Sequence, residues 1–209
     1  MNYPKLAFSE VIKKIQHDLG SRDAYERVEN QSYKDGLTAT EIQFIGQMDS
    51  FYMASFGENG FPYIQHRGGP KNFIHVLDIR TLALIDFSGN RQYISVGNIA
   101  LNSKVSLILV SYPMRARLKI YAEAQIIQLE DDPELFERLK PVDYKFRPER
   151  MMVFHIKAYD WNCPQHITPR YTSAEIEKFV VPKEQEILEL KNEVTELRSR
   201  LNKYENHGI

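Results

Sequence analysis

Between Phe61 and Asn98 the chain reads FPYIQHRGGPKNFIHVLDIRTLALIDFSGNRQYISVGN. Three β-rich runs are parted there by a Gly-Gly-Pro turn and a short polar break, and a polar turn then leads into a helix. Turns this close together leave no room for crossover helices, so neighbouring strands must pair antiparallel. The same spacing continues on both sides. GENG at 57–60 divides 50–67 into a hairpin. Further strands are predicted at Phe73–Val76, Thr81–Asp86, Val105–Ser111, Leu118–Leu129 and Met151–Tyr159. Many strands with short connections specify a mainly β (α+β) chain closing toward a small antiparallel barrel rather than βαβ units.

Helices are predicted around this sheet. Phe8–Val28 has Ser9 as cap and a break at Gly20. Thr38–Met48 has Thr40 as cap, with Ile42, Ile45 and Met48 along one face. Asp131–Leu139 starts with acids and a proline, as helix N-termini prefer. The chain thus divides into a helical extension (1–37), a barrel domain (38–181) and a C-terminal helix (182–209). A hydrophobic content of 43% over 209 residues can bury a core. A net charge of −1 gives no general attraction to nucleic acid or to an anionic membrane. No run reaches transmembrane length, and the lone Cys163 cannot form an intrachain disulfide, so the expectation is a cytoplasmic protein.

The polar residues of the central stretch suit an anion. Arg67 ends one strand, Lys71 follows the turn, and Arg91, Gln92, Ser95 and Asn98 surround the polar turn. Arginine forks match phosphate oxygens, and Ser95 is predicted to cap a helix whose N-terminal N–H groups would add to the site. In ARLKIYAEAQII, Arg117 and Lys119 share one strand face while Leu118 and Ile120 share the other. Other chemistries have weaker footing. The six histidines form no HExxH and no pairing with cysteine at metal spacing, so no metal site is expected. Cys163 and His166 lack an orienting partner, and no GxGxxG or Walker motif occurs. No side chain stands out as a catalytic acid or base.

PYIQHRGGPKNF and DFSGNRQYISVGN resemble the FMN-binding split-barrel proteins related to pyridoxamine 5'-phosphate oxidase, over about residues 35–170. The resemblance implies a six-stranded antiparallel split barrel, a homodimer, and FMN at the subunit interface. It implies cofactor contacts from Gln65, His66 and Arg67, from Asp86, Phe87 and Ser88, and from Asn90, Arg91, Gln92 and Ser95. Arg117 and Lys119 would join from a later strand, and Trp161, Gln165 and His166 would reach the ring edge. Two departures stand out. WNCPQHITPRY replaces the arginine-histidine substrate motif of the true oxidases, and SGNRQYIS replaces a serine-arginine-lysine phosphate turn. The implied function is an FMN-dependent oxidoreductase of unidentified substrate, with NAD(P)H as a donor to test. Alternatives are a flavin binder without turnover, a haem-binding relative using His66, His75 or His166, and a coiled-coil interaction module.

From Ile187, apolar residues recur as Ile187, Leu190, Val194, Leu197, Leu201 and Tyr204, a heptad a/d series. β-Branched a residues with leucine at d favour a parallel pair, and Glu186–Lys191′ and Glu193–Arg198′ have opposite signs. The competing arrangement is an amphipathic helix lying on its own barrel.

Overall fold

Strand alternation decides the architecture. The computed structural model describes residues 1–206, apart from the side chains of Tyr204 and Asn206. It contains seven strands: β1 (Ser50–Phe56), β2 (Pro62–Gly68), β3 (His75–Asp78), β4 (Thr81–Phe87), β5 (Lys104–Ser111), β6 (Ala116–Ile127) and β7 (Pro148–Asn162). All pair antiparallel, in the order β2-β1-β5-β6-β7-β4-β3. On β5 and β6 every second residue is buried: Val105, Leu107 and Leu109, then Leu118, Ile120, Ala122 and Ala124. This period of two gives the sheet one inward face.

β4 and β7 depart from that pattern because both their faces are covered. Leu82, Leu84, Met152 and Phe154 enter the main core, while Ala83, Ile85, Met151 and Val153 form a second cluster with Leu139. Seven strands are found, the number that the turns and β-rich runs predict and one more than the resemblance implies. Among the described residues the barrel is not closed by strand pairing, since β2 and β3 stand at opposite ends of the order. β3 begins at His75, two residues beyond its expected start. Phe73 and Ile74 are instead buried in the core as the chain leaves the turn, where Asn72 takes a left-handed conformation.

Helices pack around the sheet. The N-terminal extension forms α1 (Tyr3–Ala7), α2 (Glu10–Asp18) and α3 (Arg22–Gln31), with Gly20 at φ 73° between the last two. α4 (Ala39–Gly46) is capped by Thr38, not Thr40. The Thr38 hydroxyl accepts from the Thr40 N–H, and the Glu41 carboxylate accepts from the Thr38 N–H at 2.9 Å, a capping box. Its buried face is Phe44 and Ile45, whereas Ile42 is exposed. α5 (Ile94–Leu101) follows the polar turn and packs on β1, β2 and β6. Its cap is Tyr93 rather than Ser95, which lies inside the helix and is buried. α6 (Pro133–Leu139) is capped by Asp132, whose carboxylate accepts from the Leu135 N–H at 2.9 Å.

The chain forms two compact units, the first ending at Ile167 and the second starting at Thr168. The second contains α7 (Ser173–Asn206), which starts ahead of the expected Pro182 and carries that proline inside it. The Tyr204 side chain of the heptad series and His207, one of the six histidines, lie outside the described residues.

Candidate functional site

Curling of the sheet brings β2 toward β4, and a cavity of about 280 Å³ lies where they meet. β2 supplies Tyr63, Gln65, His66 and Arg67. β4 supplies Leu84 to Phe87, and the turn through Gly89, Asn90, Arg91, Gln92 and Tyr93 covers one side. Ser95 and Val96 enter from α5, and Glu149 from the start of β7.

Arg67 organises the interior. On β1 and β2, Phe51 lies opposite Arg67 and Met53 opposite Gln65, so the strand pleat turns both polar side chains inward with the core. Arg67 is 9% exposed, and its Nη1 donates to the Asp86 carboxylate. Its Nη2 donates to Gln65 Oε1 at 3.2 Å, and the same oxygen accepts from the Ser95 hydroxyl. One hydrogen-bonded group therefore ties β2, β4 and α5 together. Arg67 Nε is buried and has no partner, an unsatisfied donor beside the cavity.

A second chain of contacts runs along the rim. Arg150 Nε lies 3.9 Å from the other Asp86 oxygen, and Arg150 Nη2 donates to Glu149 at 2.7 Å. Ser88 donates to the same carboxylate at 2.8 Å. The Arg150 guanidinium lies 4.9 Å from the centre of the Tyr93 ring. The Tyr93 hydroxyl in turn accepts from Arg91 Nε at 3.1 Å, which raises the Arg91 pKa further and keeps that side chain charged. Arg91 and Tyr93 have φ values of 59° and 55°. Two left-handed residues this close, neither of them glycine, hold a conformation that costs energy and that recurs where successive N–H groups converge on an anion.

The structure thus gathers Gln65, His66, Arg67, Asp86, Phe87, Asn90, Arg91, Gln92 and Ser95 at one cavity, with Ser88 bonded to its wall. Other candidates lie elsewhere. Lys71 is exposed beyond the turn. Asn98 donates to Ser55 Oγ at 3.1 Å and sits where a Cβ on Gly57 would collide with it. Arg117 donates to the Cys163 carbonyl at 2.8 Å. Lys119 lies 3.4 Å from Asp160 and over the Tyr3 ring. Trp161 donates to Glu41 at 2.6 Å and packs edge-on against Phe44. Gln165 and His166 are exposed. Of the three histidines considered for haem, His66 lines the cavity and His166 does not. His75 is half-buried on β3, where burial and the Arg138 charge lower its pKa. Among the described residues no cluster of His, Cys, Asp or Glu could hold a metal ion, and no helix is long and apolar enough to cross a membrane.

Tyr63, Phe73, Tyr93 and Glu149 also line the cavity, and none was among the candidates. Glu149 carries no local signal. Only the β4–β7 register, which sets Asp86 opposite Arg150, brings it to the turn.

A family model described as pyridoxamine 5'-phosphate oxidase matches residues 37–161, which hold every strand but the last residue of β7. No curated protein matches the chain. Similar solved structures include a protein of Lactobacillus delbrueckii described as a candidate pyridoxamine 5'-phosphate oxidase. It is 20% identical with a TM-score of 0.48, over 62% of this chain and 97% of that one. An FMN-binding protein of Syntrophomonas wolfei is 16% identical with a TM-score of 0.45, over 74% and 96%. HupZ of Group A Streptococcus is 14% identical with a TM-score of 0.45, over 65% and 100%.

Proposed function

The chain belongs to the pyridoxamine 5'-phosphate oxidase family, and from that premise we propose that it is a cytoplasmic FMN-binding flavoprotein acting as an FMN-dependent oxidoreductase. The observation that carries this reading is the donor-lined cavity inside the matched segment, with one wall formed by a turn holding two left-handed residues. The residues present fit a cofactor with a phosphate at one end and a flat ring at the other. Arg91, Gln92, Asn90 and the N–H groups of their turn would hold the phosphate. Tyr63, Phe73, Leu84 and Val96 offer apolar wall, and the unpartnered Arg67 Nε offers a buried donor. Bound FMN would supply two-electron redox chemistry. The chain's own part is to bind it, orient it and exclude water. The fixed charges of Arg67, Asp86, Glu149 and Arg150 set the polarity of the wall.

This reading includes a homodimer with the cofactor at the subunit interface. Arg117 and Lys119 lie on the face of β6 opposite the buried Leu118 and Ile120, so they serve a cofactor only by meeting a second copy. Tyr52 and Ile64 are exposed on the outside of the same sheet, apolar surface for such a contact. The departures at WNCPQHITPRY leave vitamin B6 compounds as one substrate class among several.

The test is the absorbance spectrum of protein loaded with FMN and freed of excess by gel filtration, with light scattering for mass. A bound flavin on a dimer is expected, as is anaerobic bleaching by NADPH. Arg91→Ala should lower FMN affinity roughly tenfold or more. Colourless protein after loading overturns the cofactor. Yellow protein that no nicotinamide or candidate substrate bleaches overturns the oxidoreductase.

A further inference from the structure

α7 exposes a seam of large apolar side chains. Ile176, Val180, Ile187, Leu190, Val194, Leu197 and Leu201 are each at least 42% exposed. A long helix with an unburied stripe of this kind requires a partner surface. Extended backward through the observed helix, the heptad puts Val180, Ile187, Val194 and Leu201 at a, and Ile176, Lys183, Leu190 and Leu197 at d. Pro182 then falls at c, an outward position, so its missing N–H and any bend point away from the seam.

We propose that α7 pairs with α7 of a second copy of this chain as a parallel two-stranded coiled coil, in a register that begins near Ile176. Charge decides the partner and its direction. In the parallel pairing, g positions face e′ positions one heptad on. Glu186 meets Lys191′, Glu193 meets Arg198′ and Arg200 meets Glu205′, all attractive. In the antiparallel register that stacks Val194 on Leu197′, Lys191 faces Arg198′ and Glu184 faces Glu205′, both repulsive, against one attractive pairing of Glu193 with Arg200′, so the parallel arrangement has the better charge match. Valine and isoleucine at a with leucine at d select two strands. Within one chain Glu186 bonds Lys183 and Arg200 bonds Glu196, each at 2.7 Å. Such exposed pairs are weak and do not oppose the interchain ones.

Pairing of α7 is independent of the cofactor, and a covalent link instead of colour reports it. In the full-length chain, Cys163→Ser removes the native thiol and Val194→Cys places one at an a position. Equivalent a residues face each other only in a parallel in-register pair. Mild oxidation should therefore give a disulfide-linked dimer, whereas Ser199→Cys, at the outer f position, should give roughly tenfold less. Adding Leu190→Glu and Leu197→Glu to the Val194→Cys chain should lower the cross-link by a similar factor while the sheet unit keeps its melting temperature. A Val194→Cys chain that stays monomeric on oxidation overturns the proposal. Cross-linking only to a Leu197→Cys chain establishes the antiparallel pairing and overturns the parallel one. Cross-linking that survives both glutamates overturns the seam.

Discussion

Arg67 and Asp86 are each about one-tenth exposed and neutralise one another across the open side of the sheet. Removing one partner leaves a charge in a low-dielectric setting, so Arg67→Met should cost about 3–5 kcal/mol in urea unfolding. The double variant Arg67→Met/Asp86→Leu should recover most of that stability. On our functional reading it stays colourless with FMN, because the donor is gone. Glu41 presents a different balance. Burial alone would raise its pKa, but bonds from the Thr38 hydroxyl, the Trp161 indole and the Thr38 N–H outweigh it, and the net shift is downward. Tyr159 beside it is pushed up to about 12 by burial and by the Glu41 charge. A depressed carboxyl pKa stabilises the fold above its ordinary value of 4.5 and is lost as pH falls through the folded value. Glu41→Ala should destabilise by on the order of 3 kcal/mol at neutral pH, and the gap to the parent should narrow in acid. The family resemblance implies a cofactor-edge role for Trp161. Its bond to Glu41 depends on a helix far earlier in the chain, and no local pattern carries such a contact.

At the scale of elements, α5 and the turn before it show how close a local reading comes. The polar turn, the following helix and the cluster of Asn90, Arg91 and Gln92 are all legible as turn chemistry. The cap is not. Tyr93 takes the left-handed position while Ser95 turns inward to Gln65, because the hydrogen bond available across the sheet competes with capping. Ser95→Ala should therefore leave α5 intact and loosen the hold on Gln65. The expected outcome is a stability loss of about 1 kcal/mol with unchanged helical circular dichroism. β3 gives a pH-dependent check. His75 has a folded pKa below its ordinary 6.5, so the unfolded chain binds its proton first. Its contribution is complete above that value and declines as pH falls below it. The parent should lose more thermal stability than His75→Asn between about pH 7 and 5.5. Strand positions were legible because turns and alternation are local signals, and the two-sided burial of β4 and β7 showed as runs of continuous apolar residues.

For the whole molecule, the two units should separate in function. A chain ending at Ile167 retains every residue that lines the cavity, so it should keep FMN binding and the barrel dimer, measured by absorbance and light scattering. Loss of colour on that truncation would show that the second unit completes the site. Fold class was legible from connection lengths. The lack of a closing ladder among the described residues depends on where distant edges come to rest, which the order of the strands fixes only in space. That open join has a mechanical consequence. A ring sewn shut by backbone bonds can be undone only by global unfolding, but one fastened by a buckle of side chains has a preferred place to part. Amides along the edge strands β2 and β3 should exchange with deuterium ahead of those on β5 and β6, and a molecule wedged under the buckle would slow those of β2.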